Sequence, residues 1–130
     1  MDRLLKPGIE LTLAKEVGLN DLASNMGSGS IDVLSTPSLV AFMERTAMES
    51  VAGYLGHGES TVGAMINIRH IRPTLAGETI RCTAKLDGIE GKRLSFYIEA
   101  SGDSGLIGEG RHDRYIIDEA AFMNKLKRPV

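Results

Sequence analysis

Cysteine is almost missing from this chain: Cys82 stands alone among 130 residues, so no disulfide can close within it. That usage suits a reducing compartment. Cys82 also falls in an alternating strand pattern, where a small buried hydrophobe is expected rather than a reactive thiol. No apolar run reaches the length needed to cross a bilayer, and no apolar core follows the charged N-terminus as in a signal peptide. An excess of one charge is missing as well. The formal net charge is -2, which leaves no electrostatic footprint for nucleic acid. The short basic end at Lys125, Lys127 and Arg128 is explained by cations in the last turn of a C-terminal helix. Internal repeats and composition breaks are absent too. The expectation is one domain over 1–130, cytoplasmic, without a membrane or nucleic-acid partner and without a metal or cofactor.

What is present begins with a helix. The stretch TPSLVAFMERTAMESVAGYL, residues 36–55, is the only long helical pattern. Thr36 reads as its N-cap and Pro37 as its first helical residue, since proline has no N–H to lose there. Three glycines within 53–58 supply a stop. Leu39, Val40, Met43, Ala47, Val51, Tyr54 and Leu55 make a wide apolar arc, and Arg45 and Glu49 point away from it. Glu44 lies on the arc. A carboxylate there is unfavourable unless it is paired, used, or able to reach water at the helix flank.

The rest reads as strands. Residues 9–17 alternate through Ile9, Leu11 and Leu13, and residues 18–35 are less regular, with a Gly/Ser-rich loop, NMGSGSIDVLS, leading into the helix. Such a loop either connects or covers a site. Over 61–72, Val62, Ala64, Ile66, Ile68 and His70 share one face; over 78–87, Ile80, Cys82, Ala84 and Leu86 do. DGIEGK makes a tight reversal into 93–100, which turns Leu94, Phe96, Ile98 and Ala100 inward. A Gly-broken strand follows over 106–118, and 119–127 forms a short amphipathic helix closing the domain. Short turns make the strands antiparallel neighbours. The expected fold is α+β, a curved antiparallel sheet wrapped around one long central helix, the only large apolar cover available.

Three polar residues then meet one helix–sheet seam: Thr36, Glu44 and His70. Each has a plain explanation, as a cap, a flank residue and a satisfied core histidine. A purely structural seam has little reason to hold all three, and their combination favours a site. Thr36 and Glu44 are separated by about 12 Å of helix rise, so they meet only through side-chain reach or a substrate between them.

From about residue 35 to the C-terminus the chain resembles the hotdog-fold thioesterases, most closely the fluoroacetyl-CoA thioesterase family. The resemblance rests on the helix opening with Thr36 and holding FMER at 42–45, TVGAMINIRH at 61–70, and the PTLAGE turn. EGKRLSF at 90–96 and GEGRHDR at 108–114 complete it. It implies a hotdog fold, hydrolysis of an acyl-CoA thioester without a cofactor, and a homodimer with sites at the interface. It makes Thr36, Glu44 and His70 the catalytic set, places Gly63 beside the thioester, and assigns His112 and Arg114 to substrate binding. His112 reads equally well as a structural residue on a sheet edge. The residue types suit the chemistry. Histidine moves protons near neutral pH, a carboxylate activates water or attacks the carbonyl, Thr36 serves as nucleophile or as positioning hydroxyl, and a helix N-terminus with a glycine backbone can approach the thioester oxygen. One departure matters. The family's fluorine-selective enzyme carries lid aromatics before the catalytic threonine, and MGSGSIDVLS has none. A short- or medium-chain acyl group other than fluoroacetyl is therefore expected. Two rivals keep the fold: a hydratase or dehydratase, whose Asp-x4-His pattern is missing here, and a non-catalytic acyl-binding hotdog.

Overall fold

A computed structural model describes residues 4–128. Strands β1 (Glu10–Glu16), β2 (Glu59–His70), β3 (Thr79–Glu90), β4 (Arg93–Gly102) and β5 (Gly105–Asp118) form one sheet in the order β1-β3-β4-β5-β2. All pairings are antiparallel. A one-turn helix, α1 (Ala23–Met26), and the long helix α2 (Thr36–Ala52) stand between β1 and β2, and α3 (Glu119–Lys127) follows β5. The alternation in β3 and β4 works as read: Ile80, Cys82, Ala84, Leu86, Leu94, Phe96, Ile98 and Ala100 are all fully buried. They meet Leu39, Met43, Ala47 and Val51 of α2, which are fully buried too. Burying a Leu, Met or Val side chain contributes about 1.5–3 kcal/mol, so this seam between helix and sheet is the main source of stability. No helix among the described residues is long and apolar enough to cross a membrane.

Several local expectations change. Ser35, not Thr36, is the N-cap of α2: its backbone is extended and its hydroxyl accepts from the Ser38 N–H at 3.1 Å. Thr36 is the first helical residue and Pro37 the second, a position whose N–H would be unsatisfied in any case. The helix ends at Ala52, at the first of the stop glycines as expected, where Gly53 opens a tighter turn in which the Tyr54 N–H bonds to the Val51 carbonyl at 2.9 Å. The DGIEGK reversal is narrower than expected. β3 continues to Glu90 with a register shift between Leu86 and Gly88, and Gly91, at φ 61°, makes the turn. Between 18 and 35 the chain is more ordered than a plain loop, with a 3-10 turn at Leu19–Asp21, helix α1, and a Leu34 N–H donating to the Thr74 carbonyl at 2.8 Å. Helix α3 does not close the domain: it buries no residue and leaves Phe122, Met123 and Leu126 exposed.

The largest correction lies in β2. Strict alternation would align Val62 and Ala64 with Ile66, Ile68 and His70. The register with β5 shifts instead, with Gly63 opposite Arg114 but Met65 opposite Asp113, so Ala64 is the extra residue of a β-bulge. Directly opposed residues share a sheet face. Gly63 opposes Arg114, Ile66 opposes His112 and His70 opposes Gly108, and these even-numbered β5 residues lie on one face. Thr61 and Gly63 therefore join Ile66, Ile68 and His70 on the helix side. β5 itself is not broken by its glycines: a Cβ on Gly108 would lie 3.0 Å from Leu39 Cδ2, so glycine lets the strand pass under α2.

Candidate active site

The capping change frees a hydroxyl. With Ser35 satisfying the helix end, Thr36 Oγ1 lies 2.8 Å from His70 Nδ1, joining the start of α2 to the last residue of β2. His70 is half-buried, and its Nε2 is buried without a hydrogen-bond partner among the described residues. Burial disfavours its charged form and pulls its pKa below the ordinary value of 6.5, with a backbone hydrogen bond at Arg72 opposing. A neutral imidazole at pH 7 is a competent base. The pair opens on a cavity of about 310 Å³ whose walls include Ala23, Ser28, Val33 and Arg72. The side chains contributed by 23–35 are Ala23, Ser28, Val33, Leu34 and Ser35, none of them aromatic.

A second group forms two turns along α2. The space that a Cβ on Gly63 would fill lies 3.1 Å from Glu44 Oε2, 3.4 Å from His112 Cε1 and 3.5 Å from Arg114 Nη1. Glu44 is only partly buried, as a flank residue would be, but its carboxylate points at the β2 bulge. Arg114 is buried, donating from Nε to Thr61 Oγ1 at 2.8 Å and from Nη2 to the Thr61 carbonyl at 2.9 Å. Burial lowers its pKa and the charge of Glu44 opposes that effect. No direct ion pair joins Arg114 to Glu44 among the described residues. His112 is 0% exposed and lies on the interior strand β5, so it is not an edge residue and presents no surface for a ligand within this chain.

Within one chain, then, the structure joins Thr36 with His70 and joins Glu44 with Gly63, His112 and Arg114, but it does not bring Glu44 into contact with the Thr36–His70 pair. Both groups lie on the seam between α2 and β2. β2 is an outer strand with one edge unpaired, and its Met65 and Ile66 are 39% and 38% exposed. Sequence reading missed Ser35 as the cap and Thr61 as the anchor of Arg114. Ser35 carried only the signal it shares with Thr36, a hydroxyl just before Pro37; Thr61 carried none until the bulge reversed the faces.

An antiparallel sheet wrapped around one long helix is a hotdog fold, and the hydroxyl–imidazole pair and the carboxylate on its seam are groups that thioester hydrolysis can use. The sequence profile of the fluoroacetyl-CoA-specific thioesterases matches residues 17–120, and the chain belongs to that family. It is 34% identical over 97 residues to the fluoroacetyl-CoA thioesterase of Streptantibioticus cattleyicolor, covering 75% of this chain and 70% of that one. The solved fluoroacetyl-CoA thioesterase FlK superposes with a TM-score of 0.88 at 28% identity, over 96% of this chain and 98% of that chain. A thioesterase superfamily member from Thermus thermophilus gives 0.86 at 28% identity, over 96% and 95%.

Proposed function

We propose that this thioesterase hydrolyses the thioester of short- and medium-chain acyl-CoAs in the cytoplasm, as a homodimer that completes each site at the interface. The observation that carries the reading is the 2.8 Å contact between Thr36 Oγ1 and His70 Nδ1 at the cavity wall, made possible because Ser35 does the capping. Hydrolysis breaks the acyl C–S bond; the oxygen of water ends in the carboxylate, and the leaving thiolate takes up a proton. His70 receives a proton at its basic nitrogen and returns it to the sulfur, with Thr36 orienting the ring. Glu44 faces the reacting carbonyl from the Gly63 side and supplies the carboxylate that activates water or attacks directly, both routes giving the same products. With Pro37 lacking an N–H and those of Ser38 and Leu39 bonded to Ser35, the Thr36 N–H and the backbone at Gly63 are the groups that suit the developing oxyanion. Arg114 faces the same slot with its cation, and fits a role in holding the thioester end of the substrate.

Dimer formation is supported by the unpaired edge of β2 and by its exposed Met65 and Ile66. A second copy pairing there offers a way to bring Glu44 of one chain toward a Thr36–His70 pair. The absence of aromatic side chains along 23–35 supports acceptance of several acyl groups over selection of the fluorinated one. The test is thiol release from a panel of acyl-CoAs, with Glu44→Gln and His70→Ala alongside the unaltered protein. Expected are turnover of several chain lengths, no marked preference for fluoroacetyl-CoA over acetyl-CoA, and losses of about 100- to 10,000-fold in either variant. Strong fluoroacetyl selection overturns the substrate reading, and full activity in the folded variants overturns the site.

A further inference from the structure

His112 is a fully buried imidazole that the hydrolytic steps above do not use as a proton carrier. We propose that it is a positioning residue: a neutral, Nδ1-protonated clamp that holds the β2 bulge with one nitrogen and the Arg114 guanidinium with the other. In doing so it sets the gap between Arg114 and Glu44 beside Gly63. This inference rests on the proposed roles of Glu44 and Gly63.

The two nitrogens have forced roles. Nδ1 lies 2.7 Å from the Met65 carbonyl, which can only accept, so Nδ1 carries the proton. Nε2 lies 3.2 Å from Arg114 Nη1, which can only donate, so Nε2 is the acceptor. The opposite tautomer loses both bonds, and the doubly protonated ring sets N–H against N–H. The ring also stacks beside Phe96, centroids 6.1 Å apart, within the buried core. Met65 is the first residue after the bulge, so this hydrogen bond fastens the place where β2 reverses its faces. Without that reversal Gly63 would not face Glu44.

On the other side, Arg114 is gripped by three acceptors that carry no charge: His112 Nε2, Thr61 Oγ1 and the Thr61 carbonyl. Held this way the guanidinium stands across the Gly63 slot from Glu44 and does not close onto it as an ion pair. A Cβ on Gly63 would lie 3.1 Å from Glu44 Oε2 and 3.5 Å from Arg114 Nη1, so carboxylate and cation flank this slot from its two sides. Release of Nη1 from His112 lets the cation swing onto the carboxylate and fill it.

Two readouts test this on the full-length protein. Long-range proton–nitrogen NMR of histidine-labelled protein should show His112 as the neutral Nδ1–H tautomer at about pH 7 to 8. In thiol-release assays His112→Leu should lose about 100-fold in kcat with KM nearly unchanged. His112→Gln, whose amide can both donate to Met65 and accept from Arg114, should recover most of that loss. Thr61→Val, which removes one acceptor of Arg114 and leaves the imidazole in place, should lower kcat about tenfold and decides the matter if His112→Leu does not fold. An Nε2–H or charged ring overturns the clamp, as does unchanged kcat in the folded variants, or equal loss in Leu and Gln with KM rising in step. If the unaltered protein hydrolyses no acyl-CoA, the proposed function fails, while the tautomer still stands or falls by NMR alone.

Discussion

Adding one methyl group at Gly63 separates packing from catalysis more cleanly than any other change at the site. The backbone of Gly63 is not in the left-handed region, so alanine meets no conformational penalty there. Replacing glycine at such a position stabilises by about 0.4–1 kcal/mol through the unfolded chain. Against this stands crowding. The new Cβ would lie 3.1 Å from Glu44 Oε2, closer than an ordinary contact, while 3.4 Å to His112 Cε1 and 3.5 Å to Arg114 Nη1 are near normal. Only the flexible end of Glu44 has to give, by a few tenths of an ångström, so the lower end of the overpacking range applies, about 1 kcal/mol. The two effects nearly cancel, and the expected change in unfolding free energy is within about 1 kcal/mol. Turnover is another matter. The methyl pushes the carboxylate aside by a fraction of the roughly 1 Å misplacement that costs about 100-fold, so a loss of about tenfold in kcat is expected. Denaturant titration and thiol-release kinetics on Gly63→Ala measure both quantities. A variant as active as the unaltered protein refutes the argument that the gap beside Gly63 belongs to the reaction; a large loss of stability refutes the packing estimate.

The start of α2 offers a paired test: Ser35→Ala should cost about 1 kcal/mol of stability by removing the cap with modest effect on turnover, whereas Thr36→Val should leave stability nearly intact and lower kcat sharply. Reversal of that pattern in melting and kinetic data would return the cap to Thr36. Stability should fall on acidification. Burial, the first cause in each, holds His70 and His112 below their ordinary pKa of 6.5, so the unfolded chain binds more protons near that pH. Their contribution is therefore fully present above pH 6.5 and is lost as pH falls through the folded-state values; urea titrations across this range check it, and stability independent of pH would contradict it. Light scattering at micromolar concentration should show a dimer or a multiple of it, with charged substitutions at Met65 and Ile66 shifting the mass toward monomer and lowering activity together. A fully active monomer would refute the interface site.

Much of the fold could be read from residue order because periodicity is a local property. Alternation at 80–86 and 94–100 marks buried faces whatever lies opposite, and those faces are the core. The bulge at Ala64 escaped for a definite reason. Val62, Ala64, Ile66 and Ile68 keep an apolar alternation through it, so nothing in their order signals that the face changes. The reversal exists only in the pairing with β5 and in the hydrogen bond from His112 to Met65. The cap escaped differently: Ser35 and Thr36 are adjacent hydroxyl residues before Pro37, and either could serve. Which one does is decided by a histidine 34 residues away, which engages Thr36.

The candidate site divides along the same line. Residue order by itself determined that Glu44 belongs to an apolar helix arc and that His70 faces inward on a strand, and with the family resemblance it marked Gly63, His112 and Arg114. Tertiary structure alone decided how these residues are grouped. The contacts that define the groups span 34, 47 and 53 residues, from Thr36 to His70, Met65 to His112 and Thr61 to Arg114. Helical and strand periods are set by each residue's near neighbours, while partners at those separations meet only after the sheet has closed around the helix.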